Sequence, residues 1–310
     1  MPVDPQIQTL LELGAGLPAT NELSVAAARA QAEGRVRLMA PPAAVAKVNE
    51  RTIAGPGGDL RLRIYRPAGQ GPFPLLAFFH GSGFVLCSLD THDGMSRNLC
   101  AGAGCVVVSV DYRLAPEHKY PAGLDDCVSA TRWIADHAAE LEGDAHRLAI
   151  CGDSAGGNLA AAAALRLRDE GGPPLLGQLL IYPVTDYHTP GTTSYRQNAD
   201  GYGLTRDTMI WFWDHYLHDQ SESADPYVSP LRARDLTRLP PALVVTAEYD
   251  PLRDEGEHYA EKLRQSGTPA ITQRWDGMNH GFFFWVGRVD KAGAAMAESC
   301  RWLRQIFQQE

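Results

Sequence analysis

Long apolar runs are missing from this chain: nowhere do eighteen uncharged apolar residues follow one another, which excludes a conventional membrane-spanning helix. Basic charge is also scarce, with 28 Lys and Arg against 37 Asp and Glu, a net charge of −9 and no basic stripe to offset it. Nucleic acid, whose phosphates call for the opposite balance, is not an expected partner. The cysteines at 87, 100, 105, 127, 151 and 300 form no Cys-x-x-Cys pair and mostly lie in apolar or Ala-rich segments. Buried free thiols are expected from this, not disulfides or a metal site. His-Glu-x-x-His and a phosphate loop are both absent, and Gly14-Ala15-Gly16-Leu17-Pro18-Ala19 resembles a dinucleotide-binding turn only superficially, because no strand precedes it. No metal and no cofactor is expected. The N-terminal Met-Pro-Val-Asp-Pro-Gln has no basic n-region, apolar h-region or small-residue cleavage site, so the expected location is the cytoplasm, off the membrane.

What the chain does contain is the balance of a globular protein, 45% hydrophobic and 21% charged over 310 residues, without internal repeats or low-complexity tracts. One large α/β domain with an added lid fits that length. Oligomeric state is not legible, and a homodimer is compatible with the pattern. Residues 1 to 45 carry Ile7, Leu10, Leu11 and Leu17 at helical spacing before the Pro41-Pro42 stop. Two strand-like runs, 48 to 53 and 60 to 65, flank Gly55-Pro56-Gly57-Gly58 and predict a hairpin. Short apolar runs then alternate with helical stretches: runs at 75–79, 106–110, 148–151, 179–182, 243–246 and 271–275, helices near 121–139, 155–170, 254–266 and 289–307. Together they predict about eight strands in a mostly parallel sheet flanked by helices. The stretch between Tyr182 and Leu243 is too long for an ordinary connection and reads as an insertion. Inside it, Met209 to Trp213 with Tyr216 and Leu217 predicts a helix apolar around much of its circumference, packed on the core and bordering a cavity or simply sandwiched.

The strongest local signal is Gly152-Asp153-Ser154-Ala155-Gly156-Gly157, after a buried strand and at the start of an Ala-rich helix. That context is a nucleophile elbow: a sharp strand-to-helix turn lifts Ser154 above the sheet, the flanking glycines admit close neighbours, and the helix N-terminus favours developing negative charge. A serine at neutral pH needs a base, and on such a sheet the order along the chain is Ser, acid, His. Among the histidines beyond 154, His188, His215 and His218 fall in the insertion and His258 in a helix. His280, in Asn279-His280-Gly281-Phe282, follows the last strand and is the expected base. Asp186 and Asp250 both qualify as the acid. Asp250 is favoured because its strand is nearest in sequence to that of His280, whereas Asp254 reads as a residue of a helix first turn. Oxyanion donors are expected from the His80-Gly81-Ser82-Gly83-Phe84 loop, through the N–H groups of Gly81 and Ser82, together with that of Ala155. Phe84, Trp211, Phe212 and Phe282 are the expected substrate contacts, and their bulk favours short or medium acyl chains over long lipids.

The loop 80–84, Asp111-Tyr112-Arg113-Leu114-Ala115-Pro116-Glu117, the elbow 152–157, the segment 250–254 and His280-Gly281-Phe282 occur in order over nearly the whole chain. In these the sequence resembles the bacterial hormone-sensitive-lipase-like esterases, an α/β-hydrolase group. The resemblance implies a Ser154–His280–Asp250 triad, oxyanion donors at Gly81, Ser82 and Ala155, and a helical cap built from residues 1–45 and 185–240. Residues 46–184 and 241–310 would then be the two parts of the hydrolase core. It also implies a buttressing role for Asp111 to Glu117 and for Asp153. One departure is Ser82, where the family usually has a second glycine. If that position needs φ > 0, Ser carries a strain of about 1–2 kcal/mol; alternatively its hydroxyl donates to the oxyanion or to a water. The resemblance links the open glycine loop to bulky alcohol groups, a tolerance that Ser82 puts in question. The expected function is a serine carboxylesterase acting on small esters through an acyl-enzyme. An amidase or lactonase with the same triad, or a non-catalytic small-molecule receptor on this scaffold, are the alternatives.

Overall fold

In the computed structural model, which describes residues 2–308, the chain opens with two short helices, α1 (Pro5–Gly14) and α2 (Val25–Gly34). Their starts are set locally: the Asp4 carboxylate accepts the Gln6 N–H with Pro5 in the first turn, and the Ser24 hydroxyl accepts the Ala27 N–H. Helical structure ends at Leu38, before Pro41-Pro42, and the expected hairpin follows. Strands β1 (Lys47–Gly55) and β2 (Gly58–Arg66) pair antiparallel and turn at Gly55 opposite Gly58.

Alternation then runs through β3 (Phe73–Phe79), α3 (Asp93–Ala103), β4 (Val106–Val110), α4 (Ala122–Asp136), β5 (Gly143–Asp153), α5 (Ala155–Asp169) and β6 (Gln178–Ile181). Beyond the insertion come β7 (Ala242–Tyr249), α8 (Arg253–Gln265), β8 (Ala270–Asn279) and α9 (Asp290–Ile306). The eight strands form one sheet in the order β1-β2-β4-β3-β5-β6-β7-β8. β2 is antiparallel to β4, and every pair from β4 to β8 is parallel. The central strands are apolar on both faces because helices cover both. Leu75, Ala77 and Phe79 of β3 join a core with α4, α5 and α8, while Leu76 and Phe78 point into a second core with α1, α3 and α9.

Two differences from the pattern reading have physical reasons. Two strands outrun their apolar centres, the edge strand β8 reaching Asn279 and the central β5 starting at Gly143, since ladder hydrogen bonds do not require apolar side chains. Helix α3 is absent from the expectation. Its buried Met95, Leu99 and Ala103 keep helical spacing, but Gly94, Asn98 and Gly102, all poor helix formers, break up the signal. Residues 2–46 and 182–241 contribute no strand to the sheet. The insertion holds α6 (Thr193–Gln197) and α7 (Arg206–Tyr216); Met209, Phe212, Trp213 and Tyr216 of α7 are buried and Trp211 keeps a partly exposed edge.

Candidate active site

All the expected reacting groups lie at the carboxyl ends of parallel strands, where the loops of an open α/β sheet converge. Ser154 follows β5 directly, with φ 55° and ψ −120°, in the strained region that a nucleophile elbow requires. Its backbone is pinned on both sides: its N–H donates to the Ile181 carbonyl at 2.8 Å, and its carbonyl accepts from Asn158 and Val184. The elbow closes so tightly that a Cβ on Gly152 would stand 2.1 Å from the Gly156 carbonyl oxygen, and one on Gly156 2.0 Å from that of Phe79. The Gly-x-Ser-x-Gly spacing is thus a steric condition of the turn.

Three side chains from three loops form a hydrogen-bonded line. His280 Nε2 lies 2.9 Å from Ser154 Oγ, and His280 Nδ1 lies 2.7 Å from Asp250 Oδ2. A carboxylate can only accept, so Nδ1 carries the proton toward Asp250, and Nε2 faces the serine hydroxyl with a free electron pair. Asp250 is fully buried, and its other oxygen accepts the Leu252 N–H at 2.8 Å. Tyr182 packs its ring 4.7 Å from that of His280. Asp186 is turned elsewhere: its carboxylate accepts from the Tyr187 N–H and the Arg232 guanidinium.

The oxyanion loop departs from expectation at one residue. Gly81 cannot serve as a donor, because its N–H already donates to Asp153 Oδ1 at 2.9 Å. The N–H groups of Ser82, Gly83 and Ala155 make no hydrogen bond with the described residues and are the ones left free to meet an oxyanion. Ser82 does adopt positive φ, at 93°, and its hydroxyl lies beside the Cys87 thiol. Burial of that sulfur pushes its pKa up to about 11 and keeps it a neutral thiol. Gly83, at φ 63°, lies under the Phe212 ring, where an added Cβ would stand 2.1 Å from Cγ.

Two expected substrate contacts are corrected. Phe84 is 2% exposed and stacks on Tyr216 at 3.8 Å, and Phe282 is fully buried against Tyr182, Phe283 and Trp275. Both are packing residues, as the apolar neighbours of a buried loop tend to be. From α7, Phe212 lies against the loop at Gly83, and Trp211 packs on Phe212 and His215.

The Asp111 to Glu117 segment, expected to buttress the site, meets it through partners that carry no sequence signal of their own, Arg29 and Asp126. The Tyr112 hydroxyl donates to the His80 carbonyl at 2.7 Å, and Arg113 makes a two-pronged pair with the buried Asp126. Arg29 of α2 donates to the carbonyls of Val85 and Ala115 and grips Glu117 through both terminal nitrogens. His80 is no candidate base: burial pushes its pKa down to about 3. All six thiols are free, five of them buried. Among the described residues no His/Cys/Asp/Glu group has metal-holding geometry, and no helix is long and apolar enough to cross a membrane.

A family model described as alpha/beta hydrolase fold matches residues 76–284. Carboxylesterase NlhH of Mycobacterium tuberculosis is 41% identical over 315 residues, covering 98% of this chain and 96% of its own. An arylesterase of Saccharolobus solfataricus is 36% identical over 285 residues, covering 91% and 92% respectively. Among solved structures, a hyperthermophilic esterase from Pyrobaculum calidifontis superposes with a TM-score of 0.95 at 41% identity, covering 99% of each chain.

Proposed function

Because the chain belongs to the alpha/beta hydrolase fold family, among its hormone-sensitive-lipase-like esterases, we propose that it hydrolyses short- to medium-chain acyl esters with Ser154 as nucleophile, His280 as base and Asp250 as acid. The protein is a serine carboxylesterase. The observation that carries the residue assignment is the unbroken line from Ser154 Oγ through His280 to Asp250, with links of 2.9 and 2.7 Å. In the mechanism His280 Nε2 takes the hydroxyl proton as Ser154 attacks the ester carbonyl, and Asp250 holds the ring orientation and stabilises the imidazolium. The oxyanion is met by the N–H groups of Ser82, Gly83 and Ala155. His280 returns the proton to the leaving alcohol, then activates the water that releases the acid from the acyl-enzyme.

Residues 1–45 and 185–240 are assigned as the cap over this site, and 46–184 with 241–310 as the core; the absence of sheet strands from the described parts of the first pair supports that division. Short acyl chains are favoured because Phe212 crowds the oxyanion loop at Gly83 and Ser82 adds a side chain beside it. Six free cysteines support a cytoplasmic location. The test is a p-nitrophenyl ester series of acetate, butyrate, octanoate and palmitate, with one amide and one lactone. Turnover is expected for the first three and a sharp fall at palmitate. Palmitate hydrolysed as fast as butyrate would overturn the chain-length assignment, and an amide or lactone outpacing every ester would overturn the choice of ester.

A further inference from the structure

Behind the nucleophile lies a second His–Asp pair that the reaction scheme does not use. Asp153 and His92 are 1% and 0% exposed. His92 Nε2 stands 3.2 Å from Asp153 Oδ1 and 3.4 Å from Oδ2, and Oδ1 also accepts the Gly81 N–H at 2.9 Å. The Gly81 N–H lies 3.4 Å from Nε2 but donates at 2.9 Å to Asp153 Oδ1, and a carboxylate has only acceptors to offer the ring, so the ring proton belongs on Nε2. At the other end of the ring, Nδ1 lies 2.9 Å from the Thr91 oxygen, which accepts the Ser88 N–H and also stands 2.9 Å from the Ser88 carbonyl, so the single hydroxyl proton is directed either to that carbonyl or to Nδ1. The edge of the site is closed by Phe284, 4.9 Å from the imidazole between ring centres, and His80 at 5.3 Å is held neutral by its burial.

We propose that His92 is a positioning residue of the hydrolysis: its Nε2–H fixes the Asp153 carboxylate, which grips the Gly81 N–H and so aims the Ser82 and Gly83 N–H groups at the substrate carbonyl oxygen. The loop needs such an anchor. Ser82, Gly83 and Phe84 stand at φ 93°, 63° and 66°, three left-handed residues in succession, two of which bear a Cβ. A backbone of that kind persists only where its surroundings hold it. Tyr112 secures the His80 carbonyl before the strained stretch, and the Ala115 N–H secures the Phe84 carbonyl after it. Within it the Ser82 carbonyl accepts the Val85 and Leu86 N–H groups at 3.3 and 3.1 Å, and the Gly81 carbonyl meets His80 Nδ1 at 3.0 Å; the Gly81 N–H is the hold that ties the loop to the elbow, and it depends on a buried carboxylate whose other polar contact is His92. Without His92 the carboxylate either rotates or takes up a proton, because a poorly partnered buried charge is costly, and both responses loosen Gly81.

This inference rests on Ser154 being the nucleophile, so the experiment reads both. The parent enzyme, His92→Leu and His92→Gln are compared for kcat and KM on p-nitrophenyl butyrate, for affinity toward a trifluoromethyl ketone whose adduct carries the oxyanion, and for fluorophosphonate labelling of Ser154 by mass spectrometry. Losing one oxyanion donor outright costs about 10²–10³ in turnover, so a misaimed loop is expected to lower kcat about 10- to 100-fold with KM within about threefold. The ketone should weaken by a similar factor, and His92→Gln, whose amide can donate to Asp153, should recover much of both. Turnover of His92→Leu within threefold of the parent, a lowered kcat with unchanged ketone affinity, or a Gln variant no better than Leu would each overturn the role of His92. A parent enzyme whose Ser154 takes no phosphonate would overturn the nucleophile assignment and this inference with it. Should His92→Leu fail to fold, nitrogen-15 histidine NMR of the parent decides: a His92 Nε2 without a proton overturns the proposal.

Discussion

Two aspartates competed for one role, and their surroundings separate them. Asp250 is sealed from solvent and faces His280 Nδ1 at 2.7 Å, whereas Asp186 is half-buried and already occupied by Arg232 and its own loop. Asp250→Asn keeps the shape but presents an amide N–H or a weaker acceptor to Nδ1, which favours the wrong tautomer, and kcat is expected to fall about 10⁴-fold. Asp186→Asn is expected to stay within about tenfold of the parent in the same initial-rate assay. A larger loss at 186 than at 250 would reverse the assignment. That Ser154, His280 and Asp250 meet in space was legible because each sits in a short local signature: a glycine-flanked turn, a loop histidine before Gly281, and an acid after the next-to-last strand. The N–H groups proposed as oxyanion donors were less so. Which N–H of the 80–84 loop is free depends on where the Asp153 carboxylate points, a fact about two segments far apart in the chain.

At the scale of elements, α2 and the 80–117 region are joined by one side chain. Arg29 Nε donates to the Val85 carbonyl at 2.9 Å, Nη2 to that of Ala115 at 3.0 Å, and both terminal nitrogens to Glu117 at 2.8 and 2.7 Å. One planar fork thus ties the N-terminal arm to the end of the loop that bears the proposed oxyanion donors and to the Ala115–Glu117 segment. Arg29→Ala is expected to lower stability by about 1–3 kcal/mol in urea denaturation, and to speed proteolytic cleavage within residues 1–45. Arg29→Lys should recover little, because an ammonium cannot span acceptors set out in a plane. An unchanged cleavage rate in Arg29→Ala would show that the arm is held by its other contacts. Most strands and the four long helices were legible because burial on both faces leaves continuous apolar runs. Helix α3 was not, since its buried stripe is diluted by Gly94, Asn98 and Gly102.

Across the whole molecule, acid groups of opposite tendency set how stability depends on pH. Arg29 holds the Glu117 carboxyl down to about 2, below the ordinary 4.5, so its contribution is present above about pH 4.5 and is lost only as pH falls toward 2. Glu255 behaves in the other direction. It is 1% exposed, its Oε1 accepts the N–H groups of Thr185 and Asp186, its Oε2 reaches no hydrogen-bond partner among the described residues, and burial raises its pKa well above 4.5. The native state therefore keeps this proton after the unfolded chain has released it. Stability falls as pH climbs from 4.5 through the native titration, because there the folded state binds the additional proton. Between about pH 5.5 and 8.5 Glu117 is ionised in both states and contributes no slope, and the opposite slope of buried His80, protonated only in the unfolded chain near pH 6.5, is common to parent and variant, so the Glu255 contribution is read from their difference. Glu255→Gln retains an oxygen for the Thr185 and Asp186 N–H groups and cannot ionise. Urea unfolding at the two ends of that interval should therefore show a smaller pH-dependent loss of stability in the variant than in the parent. An identical loss in both would mean that Glu255 releases its proton at the same pH in the folded and unfolded chain, and that the fold carries this carboxylate charged in its interior.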